Sequence, residues 1–322
     1  MNKNSKIFIA GHNGLVGSAV QRLFKSKGYK NLITISRKDL DLKDKKKVAN
    51  FFKKKKIEYL IIAAAKVGGI MSNKTYPVDF FNENILIQNS LLNCALDFKI
   101  KKTVFLGSSC IYPSNSITPI KEEYFLSGKL EETNRAYALA KIAGIELCRA
   151  LYSQYRLPVL ALMPTNMYGI NDKYDQLESH VLPAMLLKFF YAKKNNLSKI
   201  ELWGDGKPER EFLSSDDLAN AIYYVLKLPK NKLDRLFKNT LPIINIGTGD
   251  IWNIKDLAYF IKSKINYSGK VIFNKNFPNG TIKKNLDSSK ILSLGWKPKY
   301  TLLASIDNLI KDLKLRKKIG NN

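Results

Sequence analysis

Lys6-Ile7-Phe8-Ile9-Ala10-Gly11-His12-Asn13-Gly14-Leu15-Val16-Gly17 decides how the rest of this chain is read. A short apolar run breaks into glycines at GxxGxxG spacing, and apolar residues then recur at helical spacing to Lys25, so the stretch reads as strand, turn, helix. Outward from it, Asn31 to Ile35 reads as a second strand, Lys45 to Lys55 as a helix, and Tyr59 to Ala65 as a third strand, apolar throughout. The alternation continues with a helix over Val78 to Asp97, a strand over Thr103 to Gly107, a helix over Ala136 to Tyr155 and a strand over Pro158 to Met163. Fully apolar strands alternating with helices specify a parallel sheet covered on both faces. The expected class is therefore α/β, with a doubly wound parallel-sheet (Rossmann-type) domain.

Beyond Tyr168 the regular alternation stops. A helix is expected over Val181 to Tyr191, a strand over Lys199 to Trp203, a helix over Ser214 to Leu228, a strand over Pro242 to Gly247 and a last helix over Leu303 to Leu313. This pattern divides the chain into a cofactor domain of residues 1–168 plus 211–250 and a smaller α+β substrate-capping domain of 169–210 plus 251–322.

The 322 residues are 45% hydrophobic and 25% charged, the proportions of an ordinary globular protein. No apolar window is long enough to span a membrane, and the N-terminal basic residues precede a strand rather than a signal peptide, so a cytoplasmic protein is expected. Cys94, Cys110 and Cys148 have no paired spacing, which argues against a disulfide framework and against a metal site. The net charge of +27 raises the question of nucleic acid. Of the 54 basic residues 46 are Lys and 8 are Arg, and they are scattered without interleaved aromatics, which describes a solvated surface rather than a nucleic-acid partner.

Glycines between a strand and a helix let a backbone approach a pyrophosphate, which the helix N-terminus then receives. At the end of the second strand an acidic residue against a ribose hydroxyl is expected for NAD; Ser36, Arg37 and Lys38 stand there instead. That favours the 2′-phosphate of NADP(H), with Arg37 as its contact. Tyr137 and Lys141 at i and i+4 place a phenol and an ammonium on one helix face, and Ser108 leaves the carboxyl end of an inner strand, where a hydroxyl can hold a keto oxygen.

The motifs GHNGLVGSA, AAAKVGGI, GSSCIYP, YALAKIAG, MPTNMYG, WGDGKPEREF and INIGTG run in order from residue 11 to about 249. With them the chain resembles the extended short-chain dehydrogenase/reductases, and within these the GDP-L-fucose synthase family. The resemblance implies 3,5-epimerisation and NADPH-dependent 4-reduction of a GDP-4-keto-6-deoxy-mannose. It implies Ser108, Cys110, Tyr137, Lys141 and His180 as the catalytic set, with Cys110 and His180 exchanging the protons at C3 and C5, Tyr137 as proton donor at C4 and Lys141 lowering the pKa of Tyr137. Cofactor contacts are implied for Gly11-His12-Asn13-Gly14-Leu15-Val16-Gly17, Arg37, Leu106-Gly107-Ser108-Ser109, Lys141, Pro164-Thr165-Asn166-Met167 and His180, although His12 reads as a packing residue. Lys188, Trp203, Arg210 and Asn279 fall on positions that contact the GDP-sugar substrate. Asn13 stands where some relatives carry a basic residue, so NADP preference rests on Arg37, and Asn279 stands where relatives often carry Asp. The family's members are usually homodimers paired through the helices over 78–97 and 136–155. Another nucleotide-sugar 4-epimerase or 4-reductase is the alternative reading, and a noncatalytic NADP-sensing or polyanion-binding protein the remote one.

Overall fold

Strand β1 (Ile7–Ala10) and helix α1 (Leu15–Ser26) begin an alternation that continues with β2 (Leu32–Ile33), α2 (Lys45–Lys55), β3 (Tyr59–Ile62), α3 (Ile70–Thr75), α4 (Pro77–Asp97), β4 (Lys102–Leu106), α5 (Arg135–Tyr155) and β5 (Val159–Pro164). These and all later elements are those of a computed structural model, which describes residues 1–175, 178–237, 241–277 and 280–319. The chain goes on through β6 (Asn166–Tyr168), α6 (Val181–Lys194), β7 (Lys199–Trp203), β8 (Glu209–Ser214), α7 (Ser215–Lys227), α8 (Lys230–Phe237) and β9 (Ile243–Ile246). It finishes with β10 (Ile251–Asn253), α9 (Ile254–Ile265), β11 (Lys270–Asn274), β12 (Lys283–Lys284), α10 (Ser289–Ser293) and α11 (Leu302–Ile319).

Six strands form one parallel sheet in the order β2-β1-β3-β4-β5-β9. Its strands are buried on both sides because successive side chains serve opposite layers. Phe8, Ala10, Leu60 and Ile62 face a core shared with Val48 and Phe52 of α2, Leu91 and Leu92 of α4 and Ile145 of α5. Ile7, Ile9 and Ile61 face the other core, with Val20 and Phe24 of α1 and Ile222 and Val225 of α7. The chain leaves β1 toward β2 on one side and returns to β3 on the other, so a crevice opens at the carboxyl ends of β1 and β3, where ligands sit in doubly wound sheets.

Two strands are three residues shorter than expected. The second, expected over 31–35, is reduced to Leu32 and Ile33 because it is an edge strand with β1 as its only neighbour. The third stops at Ile62, three residues early, because Ala63 and Ala64 turn against the glycine loop. A third core joins α6, β7, α9 and α11 through Leu186, Phe189, Leu202, Ile261 and Ile306. Between this core and the main sheet lies a small sheet in which β8 pairs with β6, β10 and β12; β7 pairs with β11 in a separate two-stranded sheet that packs in the third core.

Candidate active site

After β1 the chain turns through Gly11, whose φ of +88° suits only glycine, and Gly14 donates its N–H to the Gly11 carbonyl at 3.0 Å. A Cβ on Gly11 would lie 2.6 Å from the backbone nitrogen of Ala64, which explains why β3 ends where it does. Gly14 is exposed, and an added Cβ there would meet the Gly11 carbonyl oxygen only at an ordinary contact distance of 3.5 Å. It is the N-cap of α1, with no side chain capping the helix and no acid in its first turn, so the first amides and the positive end of the helix remain free to receive an anion. This cradle fits a dinucleotide pyrophosphate. Asn171 holds its rim by donating Nδ2–H to the Asn13 carbonyl at 2.9 Å.

Arg37 follows the edge strand and is three-quarters exposed, paired with Glu83 at 3.1 Å. Glu83 also pairs with Lys66, and Asn84 of α4 pins the backbone of Lys66 by accepting its N–H and donating to its carbonyl, each at 3.0 Å. The AAAKVGGI loop is thereby fixed, and Gly69 donates its N–H to the carbonyl of Glu178 at 2.9 Å. That bond reaches to within two residues of His180.

At the end of β4, Gly107 packs so closely on Met163 that a Cβ would lie 2.4 Å from its sulfur, and Ser108 starts a single 3-10 turn over Ser109–Ile111. Ser108 Oγ accepts the Cys110 N–H at 3.3 Å. Helix α5 crosses this turn and brings Tyr137 and Lys141 to it, one turn apart. Lys141 is buried and donates to the Leu106 carbonyl at 2.8 Å, with Nζ 5.8 Å from the centre of the Tyr137 ring. Burial pushes the Tyr137 phenol well up; negative charge on Cys110 adds to this, and the adjoining Ser108 hydroxyl acts in the opposite sense. Burial also pushes Lys141 down to about 8. The Lys141 ammonium is engaged by the Leu106 carbonyl and is itself desolvated, so burial is the largest influence on Tyr137 in this arrangement. A phenol that keeps its proton is the form a proton donor needs.

Cys110 is half-buried, and its sulfur receives Asn134 Nδ2–H at 3.4 Å and the Lys284 ammonium at 3.7 Å. Arg210 of β8 stands beside Lys284 of β12 as its register partner and senses the charge of Cys110. His180 is the N-cap of α6; it is exposed, and its ring makes no side-chain hydrogen bond among the described residues. The protein mass around it pushes its imidazole toward the neutral form.

The substrate-side residues form a second group. Lys188, two turns into α6, donates to the Glu201 carbonyl at 2.6 Å and lies 5.9 Å over Trp203, which stacks on Phe277 at 4.8 Å and 11°. Asn279 lies outside the described residues; Gly280 next to it comes to within 3.3 Å of Arg210 Nη2 for an added Cβ. Thr165 and Asn166 turn their side chains to the Glu211 carbonyl, at 3.2 and 3.0 Å. The sequence reading did not single out Asn134, Lys284 or the buried Glu211. Asn134 precedes α5 and so carried a helix-start signal, whereas Lys284 sits in a lysine pair that reads as surface.

A model of the NAD dependent epimerase/dehydratase family matches residues 7–247. The chain belongs to this family. Among its relatives, GDP-L-fucose synthase 1 of Arabidopsis thaliana is 44% identical over 94% of this chain and 90% of that protein. A solved GDP-6-OMe-4-keto-L-xylo-heptose reductase from C. jejuni superposes with a TM-score of 0.92 at 36% identity, covering 98% of this chain and 99% of that one. A GDP-mannoheptose C4 reductase from Campylobacter jejuni, solved with NADP bound, has a TM-score of 0.88 at 38% identity over 98% and 99% of the two chains. The glycine cradle, the serine turn and the tyrosine-lysine helix of this epimerase/dehydratase thus stand on a family fold. No helix among the described residues is long and apolar enough to cross a membrane.

Proposed function

We propose that the chain converts GDP-4-keto-6-deoxy-D-mannose to GDP-L-fucose by inversion at C3 and C5 followed by NADPH-dependent reduction at C4. The observation that carries this reading is that a thiol, Cys110, lies on the same short turn as Ser108 and beside Tyr137. A 4-reductase needs Ser108, Tyr137 and Lys141, but it has no use for a thiol and an imidazole at the sugar. The names of the plant and bacterial relatives point the same way.

Protons at C3 and C5 of a 4-keto sugar are acidic because the electron pair left behind delocalises onto the C4 oxygen. One member of the Cys110–His180 pair removes such a proton, and the other returns one to the opposite face. Ser108 holds the C4 oxygen throughout. NADPH, when bound, supplies a hydride to C4. The residues that hold it are the cradle at Gly11 to Gly17, Arg37 at the 2′-phosphate, Lys141 at the nicotinamide ribose and Pro164 to Met167 as a wall. Tyr137 then delivers its phenolic proton to the C4 oxygen. Arg210 grips the diphosphate, while Lys188, Trp203 and Asn279 serve the nucleotide sugar. The cofactor domain is 1–168 with 211–250 and, unlike the expected division, also takes in 286–296, because Leu286, Ile291 and Trp296 pack in the cores on either side of the main sheet; 169–210 with the rest of 251–322 is the substrate domain.

The experiment is NADPH oxidation with GDP-4-keto-6-deoxy-mannose in deuterated water, followed by product NMR. Deuterium at C3 and C5 with an L-fucosyl product is expected. Oxidation without deuterium would replace this reading with a second one, a GDP-sugar 4-reductase, which the names of the solved heptose reductases favour. The protein is also assigned to the cytoplasm and to homodimers. Exposed Val78, Phe81 and Leu86 on α4 and Leu139 on α5 support a bundle of those helices between two copies. A monomeric mass in solution would remove the dimer.

A further inference from the structure

Asp79 and Glu83 lie one turn apart on α4 and turn toward the same ammonium, Lys66, at 3.0 Å each. Glu83 uses one carboxylate oxygen for that bond and accepts Arg37 Nη2–H with the other at 3.1 Å. The two ends of this bridge differ. Lys66 is fixed through its backbone by Asn84, and the Glu83 side chain is 20% exposed, whereas the Arg37 side chain is 75% exposed beyond the edge strand. An anion that reaches Arg37 therefore meets a guanidinium already shared with a carboxylate that is held in place. A doubly wound site for NAD carries an acid after its second strand. Ser36, Arg37 and Lys38 supply none, and Asp39 is engaged by the Ser36 hydroxyl at 2.6 Å, but the fold returns a carboxylate to Arg37 from α4.

We propose that Glu83 sets the cofactor choice of this site: its charge weakens the hold of Arg37 on a 2′-phosphate and offers an acceptor to a 2′-hydroxyl, so that the chain takes NADH as well as NADPH. This rests on the reading of Arg37 as the 2′-phosphate contact, and it names the residue that limits that contact. A guanidinium has more N–H donors than Glu83 occupies, so Arg37 can serve the carboxylate and a phosphate together. The phosphate then lies across one guanidinium from a like charge, a repulsion that NADH, with a neutral hydroxyl there, does not meet. The charges of Arg37 and Lys66 are cancelled by those of Asp79 and Glu83. This cluster gives a phosphate no net attraction until Glu83 is neutralised. An ion pair as exposed as that of Arg37 adds little to stability, which leaves its effect on an arriving anion as its main consequence.

The test is fluorescence titration of the full chain with NADPH and with NADH, in the absence of GDP-sugar. Wild type is expected to favour NADPH by less than about 30-fold. Glu83→Gln keeps the shape and one acceptor oxygen, and Lys66 keeps Asp79, so the variant should fold. Its NADPH affinity should rise by about 10-fold, the effect of removing one like charge near a protein surface, while NADH affinity falls or stays within about threefold. Adenosine 2′,5′-bisphosphate should compete better against the variant by the same factor, and AMP should not. A melting curve confirms folding, and Glu83→Ala replaces the glutamine variant if that one fails to fold. NADPH bound no more tightly by the variant than by wild type overturns the inference, as does a wild-type preference for NADPH wider than about 30-fold. The underlying reading fails separately, and by a different result: Arg37→Met binding NADPH as tightly as wild type.

Discussion

A Cβ on Gly17 would lie 2.1 Å from the carbonyl oxygen of Gly11, whereas one on Gly14 would stay 3.5 Å from the same atom. The two glycines of one motif therefore exist for different reasons. Gly17 lets α1 close against the turn, and Gly14 keeps the space above the helix N-terminus clear.

Substitution separates these reasons. Gly14 has φ −80° and ψ 173°, which alanine adopts without strain, so Gly14→Ala should fold normally. Its methyl group occupies the anion's approach, and NADPH affinity should fall by about 10- to 100-fold, or roughly 1.4 to 2.8 kcal/mol. Gly17→Ala should instead lower stability by about 1–3 kcal/mol, the usual cost of overpacking. Fluorescence titration with NADPH beside urea unfolding distinguishes the two; wild-type affinity in Gly14→Ala would refute the cradle.

Tyr137→Phe removes the proton donor and leaves the ring packed edge-on to Phe80 at 6.3 Å. Reduction at C4 should fall by about 10²- to 10⁴-fold, the range for a general acid. Deuterium exchange at C3 and C5 should persist, because Cys110 and His180 are untouched. Equal loss of both half-reactions in a folded variant would mean that Tyr137 also serves the epimerisation.

The central sheet was legible because its strands are apolar on both faces and its turns carry glycine. Helix Lys45–Lys55 was found to the residue despite six lysines, since Val48 and Phe52 keep the buried face. The small sheet was not legible. Strands β10 and β12 are only three and two residues long, β8 opens on three charged residues, and their pairing joins segments more than 35 residues apart, which leaves no local period to read. Lys284 looked like surface for that reason. Lys102 is a parallel case: it lies in an inner strand, 6% exposed, where its ammonium caps the last carbonyls of α7 at Leu226 and Leu228. Only the packing of α7 across the sheet reveals its partner. Ser108, Tyr137 and Lys141 were legible as types and spacings, whereas the state of the phenol was not, because burial sets it.

Lys141 gives the reaction a pH limit. Its ammonium titrates at about 8 because burial disfavours the charge. A lysine with a lowered pKa loses its proton as pH rises through that value, earlier than the ordinary 10.4. NADPH-dependent turnover should therefore hold up to about pH 7, be roughly halved at about pH 8 and fall by a further fivefold or so between about pH 8 and 9, as the charged fraction does. Lys141→Arg should be slower yet flat over the same interval, since guanidinium stays charged. A wild-type rate unchanged up to pH 9.5, with circular dichroism showing a folded protein, would mean that the charge on Lys141 is not used.

Glu211 is buried to 1% exposure and pairs with no cation among the described residues; it accepts three backbone amides. Oε1 takes Thr248 N–H at 2.7 Å and Gly249 N–H at 2.8 Å, and Oε2 takes Leu286 N–H at 2.9 Å. Its own carbonyl receives Thr165 and Asn166, so one residue of β8 ties together the β9–β10 turn, the strand after β5 and the segment following Lys284. Gly247 is glycine because a Cβ there would lie 2.5 Å from Oε1. Glu211→Gln keeps the shape but turns one acceptor into a donor, so an amide N–H must face an N–H. The cost should be about 2–4 kcal/mol, the loss of a charged acceptor plus an unsatisfied buried donor. Urea unfolding measures it, and a change below about 0.5 kcal/mol would place Glu211 among ordinary surface substitutions. Because Arg210 and Lys284 stand on the two strands that this carboxylate clamps, KM for the GDP-sugar should rise in the same variant while NADPH affinity stays near wild type.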